Sequence, residues 1–288
     1  MVKSRKVKKE GLPQPEGEIR NIDKPLGWTS FDAVAKIRNA YSRAGVGKVR
    51  VGHAGTLDPL ATGVLIVASG KQTKKIAALE HLDKEYEAVI RLGVKTPSFD
   101  GESEEYDHRD ISSLRQELIE EVIRSFEGRQ EQMPPMFSAT WHQGKRLYEI
   151  ARAGRSVERK PKPIEIFAIE LLSYQAPEVV IRVRVSKGTY IRALANDIGE
   201  KLGVGAYLRE LRRTKVGDFV ITDSKPIEKH CEEILNNGLS GKMIRKGEEK
   251  GEENEPKLDT NQMNRENKMA NGKIEESMGG VNEIDASF

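Results

Sequence analysis

A single cysteine, Cys231, occurs in 288 residues. One thiol cannot close an intramolecular disulfide and cannot build a thiolate zinc site, so the chain reads as an inhabitant of a reducing compartment, the cytoplasm. Long apolar runs are missing too. The longest, Val64–Ala68, has five residues, far short of the ~20 that cross a bilayer as a helix. Lys3, Arg5, Lys6, Lys8 and Lys9 crowd the N-terminus. No apolar segment follows them, so they do not read as a secretory signal. Aromatics make up only 6% of the chain, and none stands between residue 236 and Phe288. No internal repeat is visible.

What is present is a mixed, highly charged composition: 37% hydrophobic and 32% charged residues. That is globular on average, with more charge than usual. The net charge of +3 is unevenly spread, because residues 236–288 hold 8 basic and 11 acidic side chains of the total 48 and 45. The remainder carries an excess of six positive charges. Such an excess suits a polyanion partner, although many ordinary basic proteins share it. Residues 1–17 read as a disordered basic arm and 18–235 as the folded body. Residues 236–288 read as a disordered tail, because Gly, Asn, Glu and Lys cannot bury enough apolar surface to offset chain entropy.

Within the body, helical and strand periodicities mix. Thr29 or Ser30 can cap a helix whose apolar face is Phe31, Val34, Ile37 and Tyr41, with Gly45 as its stop. Tyr86, Ala88, Ile90 and Leu92 alternate as one face of a strand. Ser113 with Gln116 has the spacing of a capping box, ahead of a stripe of Leu114, Leu118, Val122 and Phe126. Val179, Ile181, Val183 and Val185 alternate with Arg182 and Arg184, a strand with a wet, basic face. Ile191, Leu194, Ala195, Ile198 and Leu202 form the next helical stripe. Strands outnumber βαβ signals. The expected class is therefore α+β, with a mixed, mostly antiparallel central sheet flanked by helices. The acidic stretch from Asp100 to Asp110 reads as a solvated loop on the outer surface.

The most informative segment is Val51-Gly52-His53-Ala54-Gly55-Thr56-Leu57-Asp58-Pro59-Leu60-Ala61-Thr62-Gly63-Val64-Leu65. Its glycines and proline require a bend and permit close approach of a ligand. Pro59 biases Asp58 towards an extended conformation. A carboxylate is thus presented on a loop that feeds the apolar strand Val64–Ala68. Taken singly, Asp58-Pro59 is a turn and His53 a loop histidine.

The whole string resembles the catalytic loop of the TruB family of pseudouridine synthases, whose pattern is G-H-x-G-x-L-D-P-x-A-x-G. Further segments resemble the family's other motifs in the same order. They are Ile22-Asp23-Lys24-Pro25-Leu26-Gly27-Trp28-Thr29-Ser30, Lys84-Glu85-Tyr86 with Arg91-Leu92-Gly93, and Pro134-Pro135-Met136-Phe137-Ser138-Ala139 with Gly144-Lys145-Arg146-Leu147-Tyr148. Ser186-Lys187-Gly188-Thr189-Tyr190-Ile191-Arg192 and Leu211-Arg212-Arg213 complete the series. The resemblance implies the pseudouridine synthase fold and isomerisation of uridine 55 in the TΨC arm of tRNA. It implies Asp58 as the catalytic aspartate and Tyr86 as the ring that stacks on the target base. Arg192 pairs with the carboxylate, Tyr190 and Leu211 line the pocket, and His53 lies beside the flipped nucleotide. Lys24, Lys74, Lys187, Arg212 and Arg213 are candidate contacts to the RNA backbone.

The chemistry fits those roles. Uridine becomes its C-glycoside isomer when the N-glycosidic bond breaks, the base turns and carbon 5 bonds to the sugar. Nothing is oxidised and no group is donated, so neither cofactor nor metal is expected. An aspartate can serve as nucleophile or as the base that removes a sugar proton. The base must leave its stack at a cost of about a few kcal/mol, and stacking on a tyrosine returns roughly 1–3 kcal/mol.

Three features depart from the family pattern. Ala54 stands where threonine is frequent, Trp141 replaces the lysine of S-A-x-K, and little that could fold as a PUA domain follows Leu235. The expected partner is the TΨC stem-loop, with no membrane and no obligatory protein partner. The competing reading is a tRNA-folding chaperone that opens the elbow; only the enzyme needs Asp58. A guide-RNA-dependent relative would need partner proteins and a PUA module. A metal-dependent nuclease would need more ligands than His53 and Asp58 offer.

Overall fold

Alternation of apolar and polar residues sets the strands around which this chain folds. The structure is a computed structural model that describes residues 15–138 and 141–239. In chain order the elements are β1 (Ile19–Lys24), α1 (Ser30–Arg43), β2 (Val51–Ala54), β3 (Ala61–Ser69), a 3-10 turn over Gly70–Lys75, α2 (Ile76–Glu80) and β4 (Lys84–Leu92). Then follow α3 (Gln116–Arg124), β5 (Gly128–Gln132), the small hairpin β6 (Trp141–His142) and β7 (Lys145–Arg146), and α4 (Leu147–Arg152). The chain continues through β8 (Lys162–Gln175), β9 (Glu178–Val185), α5 (Ile191–Lys201), β10 (Ala206–Val216), β11 (Phe219–Val220), β12 (Lys225–Pro226) and α6 (Ile227–Leu239).

Ten strands form one sheet in the order β12-β1-β3-β10-β4-β9-β8-β5, with β2 paired to β3 and β11 to β10. Pairing is antiparallel except at β1/β12 and β3/β10. The fold is therefore α+β with a mixed, mostly antiparallel sheet. The β3/β10 joint sets Leu211, Arg212 and Arg213 beside Ala61, Thr62 and Gly63, where the Asp58 loop enters the sheet. Gly63 makes that approach possible. Its φ is +101°, and a Cβ there would stand 2.2 Å from the Arg213 carbonyl oxygen.

One face of the sheet is covered by helices. α5 packs on β10, α3 on β8, and α1 and α6 pack on each other. The core runs from Ile37 and Tyr41 through Ile90, Ile181 and Val183 to Leu194 and Ile198. The opposite face carries a smaller core at β3, with Val64, Ile66 and Val216 beneath Ile76 and Leu79, and is wet along β9. There Arg182 on β9 is held by Glu87 at 2.8 Å and Glu170 at 2.9 Å, and Arg184 lies 5.3 Å over the Phe167 ring. The face expected to be basic is thus largely neutralised by cross-strand pairs.

α1 begins as expected: Thr29 caps it in a capping box with Asp32. Val34, Ile37 and Tyr41 are buried, but Phe31 is 63% exposed. The Ser113–Gln116 box does not form. α3 starts after Arg115 with no side-chain cap, and the nearby side-chain bonds join Ser112 to Asp110 instead. Its buried positions are Ile119, Val122 and Ile123, while Leu118 is exposed. A strict i+4 row drifts by about 40° at each step of a helix with 3.6 residues per turn, so Leu114, Leu118, Val122 and Phe126 cannot all face the core.

At the edges of the expected body, the Pro15 carbonyl accepts from the Lys71 amide at 2.9 Å. α6 continues to Leu239 and buries Ile234, so residue 235 falls inside a helix. The rest of the expected arm and tail lies outside the described residues. No helix among the described residues is long and apolar enough to cross a membrane.

Candidate active site

The loop Gly55–Leu60 is pinned from three sides. The Leu57 amide donates to Ser30 Oγ at 2.8 Å, and that hydroxyl donates back to the Leu57 carbonyl at 3.0 Å. The Gly27 amide reaches the Pro59 carbonyl at 2.8 Å, and the Ala61 amide reaches the Asp58 carbonyl at 3.0 Å. From behind, Arg213 donates through Nε to the Val64 carbonyl at 2.7 Å and through Nη2 to the Gly55 carbonyl at 3.1 Å. With its backbone committed, the loop presents the Asp58 side chain, 38% exposed, to a cleft of about 270 Å³.

Arg192, in the first turn of α5, meets that carboxylate. Its Nη2 is 2.9 Å from Asp58 Oδ2, and its guanidinium is 7% exposed. The other arm is held at 3.1 Å by Asp100, whose side chain is 2% exposed, and Nη2 also donates to the Phe137 carbonyl at 2.8 Å. Asp100 is itself fixed by Ser98 Oγ at 2.6 Å and the Glu102 amide at 3.0 Å. A buried arginine between two carboxylates has its charge balanced and its rotamer locked, which a lone exposed pair cannot achieve. Asp100 thus departs from the expectation of a solvated surface loop; most of residues 101–110 are exposed. Composition hid Asp100, since it opens an acidic run.

Tyr86, 8% exposed, and Leu211, 9% exposed, line the cleft with Tyr190, Lys187 and Arg192. Tyr190 precedes α5. Its backbone is held by Gln132, whose amide oxygen accepts from the Tyr190 amide at 2.8 Å while Nε2 donates to its carbonyl at 3.0 Å. Lys187 stands on the rim, exposed, with Nζ 3.2 Å from His81 Nε2.

The other basic candidates have different positions. Lys24 is fully buried and donates to the carbonyls of Pro25 at 2.9 Å and Trp28 at 2.6 Å. Burial pulls its ammonium down to about 8, partly offset by the Asp58 charge. It therefore cannot meet an RNA backbone. Its phase explains this: Arg20, Ile22 and Lys24 share the inward face of β1. Arg213 is 1% exposed and is consumed by loop carbonyls, although it reaches the cleft wall. Arg212 is ion-paired to Asp23 at 2.9 Å and bonded to Thr62 Oγ1 at 3.1 Å. Lys74 is exposed on the 3-10 turn and does not line the cleft. His53 pairs with Val67 across β2/β3 and also lies outside the lining. Its Nδ1 is buried without a partner, and burial followed by the Arg213 charge lowers its pKa below 6.5.

The cleft holds further side chains that motif reading passed over. Lys84 is buried, donates to the Glu80 and Leu82 carbonyls, and is pulled down to about 8 by burial and the Arg213 charge. The signal was in the alternation, which puts Lys84 on the same face as Tyr86, Ala88 and Ile90. Ser138 lines the same space. Among the described residues, no group of three or more His, Cys, Asp or Glu side chains is placed to hold a metal ion.

Fold and cleft together define an α+β protein whose cleft pairs an aspartate with a buried arginine. Comparison with known proteins makes the assignment particular. Residues 43–191 match the family model described as "TruB family pseudouridylate synthase (N terminal domain)", and residues 192–234 match "tRNA pseudouridylate synthase B C-terminal domain". The tRNA pseudouridine synthase B of Chloroherpeton thalassium is 57% identical over 222 residues, covering 77% of this chain and 92% of the relative. That of Phocaeicola vulgatus is 50% identical over 230 residues, covering 77% and 98%. Among solved structures, a chain of a Cbf5-Nop10-Gar1 complex superposes with a TM-score of 0.60 at 31% identity. The match covers 80% of this chain and 58% of that one, so this chain spans little more than half its length. An H/ACA RNP bound to a substrate RNA containing 2'-deoxyuridine gives 0.57 at 29% identity. The chain belongs to the TruB family of pseudouridylate synthases, and so to the isomerases. The junction between its two family models falls between Ile191 and Arg192, inside α5.

Proposed function

We propose that this enzyme isomerises uridine 55 in the TΨC arm of tRNA, acting in the cytoplasm on a base flipped out of the loop. The observation that carries the reading is the Asp58–Arg192 pair at 2.9 Å in a cleft that Tyr86 also lines. Relatives that are 57% and 50% identical over the aligned residues are named tRNA pseudouridine synthase B, which supports tRNA as the substrate. Tyr86 and Leu211 receive the uracil ring, Tyr190 closes the wall, and Lys187 on the rim meets a phosphate. Asp58 acts on the sugar side of the glycosidic bond, as nucleophile or as base. Arg192 holds the carboxylate's position while charge moves through it, so little reorganisation remains for the reaction itself. Isomerisation conserves every atom and electron of uridine, so the reaction consumes no co-substrate.

The test is tritium release from carbon-5-labelled uridine, or mass spectrometry after pseudouridine-specific derivatisation, on an unmodified tRNA transcript. Turnover at position 55 is expected. Binding of the transcript with no isomerisation by the purified protein would favour the chaperone reading instead.

A further inference from the structure

A second cavity, of about 370 Å³, lies beside the hairpin of β6 and β7. Its floor is apolar, made by Pro134 and Leu147, and one wall is the indole of Trp141, which is 62% exposed. The rim carries Arg159, Lys160 and Lys162 against a single acid, Glu158. Arg159 Nη1 donates to the Pro134 carbonyl at 2.9 Å, which ties the basic rim to the floor.

This cavity shares a segment with the active-site cleft. Pro134 lines the second cavity and Ser138 the first. Between them, the Phe137 carbonyl is bonded to Arg192 at 2.8 Å and the Ser138 carbonyl to the Tyr148 amide at 3.1 Å. Four residues reach no further than roughly 14 Å, which is about four stacked nucleotide steps of roughly 3.4 Å. An exposed indole over an apolar floor, with an excess of cations at the edge, has the chemistry of a stacking platform for a nucleotide.

We infer that the Trp141 cavity is a second nucleotide subsite, which stacks one unpaired base of the substrate RNA within about four nucleotides of the flipped uridine. It rests on the tRNA-modifying reading above. Tryptophan at this position departs from the lysine of the family pattern, so the subsite exchanges a point charge for a ring.

Stem-loops carrying a single abasic residue at each of the four positions on either side of the target test it. Equilibrium binding is read by anisotropy, and turnover separately, for wild type, Trp141→Ala and Trp141→Phe. At one position the abasic substitution is expected to weaken wild-type binding about tenfold, or about 1.4 kcal/mol, with kcat within about twofold. Trp141→Ala should lose the same factor on intact RNA and nothing further on the abasic one, and Trp141→Phe should retain most of the affinity. Equal abasic penalties in wild type and Trp141→Ala, or full affinity of Trp141→Ala for intact RNA, would overturn the subsite. Failure of the tRNA reading shows up differently, as absence of wild-type turnover on the intact stem-loop, and the binding comparison still decides the subsite.

Discussion

Asp58 rides on the loop that Arg213, on β10, braces from behind, and the two do opposite work. Asp58 faces the cleft while Arg213 is spent on the loop's own carbonyls. Asp58→Asn keeps the shape and hydrogen-bonding size of the side chain but removes its charge and nucleophilicity. Turnover should fall by roughly 10⁴-fold or more, with transcript affinity within a few-fold; single-turnover kinetics beside a binding titration checks both, and turnover within tenfold of wild type would remove Asp58 from its role. Arg213→Ala strips the guanidinium bonds from the Gly55 and Val64 carbonyls. At about 1–3 kcal/mol for each group, denaturant melts should show a loss on the order of 3 kcal/mol. Activity should drop as well, because the loop that carries Asp58 is no longer braced. A variant as stable as wild type would mean that water replaces the guanidinium at no cost.

Two elements concentrate the architecture's demands. At the β3/β10 joint, Gly63 combines a φ of +101° with a Cβ position 2.2 Å from a backbone oxygen. Neither atom belongs to a flexible side-chain end, so Gly63→Ala must shift one strand. A destabilisation on the order of 3 kcal/mol or more is expected, measured by the midpoint of urea unfolding, with turnover falling in the residual folded fraction. At the other end, α6 is clasped to β1 by His230. Its Nε2–H donates to the Asn21 carbonyl at 3.0 Å, which leaves Nδ1 to accept from Arg20 at 3.1 Å. Burial, aided by the Arg20 charge, holds this imidazole below its usual 6.5 even though Glu233 stands nearby. The folded pKa is lower than the unfolded one. The contribution is therefore complete above about pH 6.5 and declines as the pH falls, because the unfolded chain takes up the proton first. Thermal melts of wild type should thus lose stability between pH 7 and 5, and His230→Gln should flatten that slope; identical slopes would mean that the clasp does not titrate. His53 is shifted in the same direction and leaves part of the slope in the variant.

For the whole molecule, the excess of six positive charges before residue 236 is less available than its number suggests. Lys24 and Arg213 are buried, and Arg212, Arg182 and Arg20 are paired. Phosphate contact therefore falls to rim groups such as Lys187. At about −0.7 to −0.9 in slope per neutralised phosphate, log K against log salt should still be steeper than about −2, as a few contacts suffice. Tyr86→Ala should leave that slope unchanged and cut turnover, since it removes a ring and no charge. A flattened slope with full turnover would take Tyr86 out from under the base. Deleting residues 240–288 should preserve folding and keep kcat/KM within about tenfold, or ~1.4 kcal/mol, whereas a cut at Leu235 truncates α6 immediately after the buried Ile234.

Local order was legible from residue pattern. The alternations of β4 and β9, the Thr29 cap and the Asp58 loop all declare themselves over a few positions, because strand phase, helix caps and glycine-dependent bends are short-range constraints. The placing of Asp58, Tyr86, Tyr190, Arg192 and Leu211 near one cleft followed from the ordered motifs, since each already carried its segment's identity. Pattern could not say which cations face water. Lys24, Arg212 and Arg213 read as candidate backbone contacts in one dimension, yet backbone carbonyls and acids distant in the chain absorb them. Asp100 is the sharpest case, 92 residues from the arginine it holds. Whether a charge is solvated or buried depends on what folds over it, and that is set by contacts between segments that no local period records.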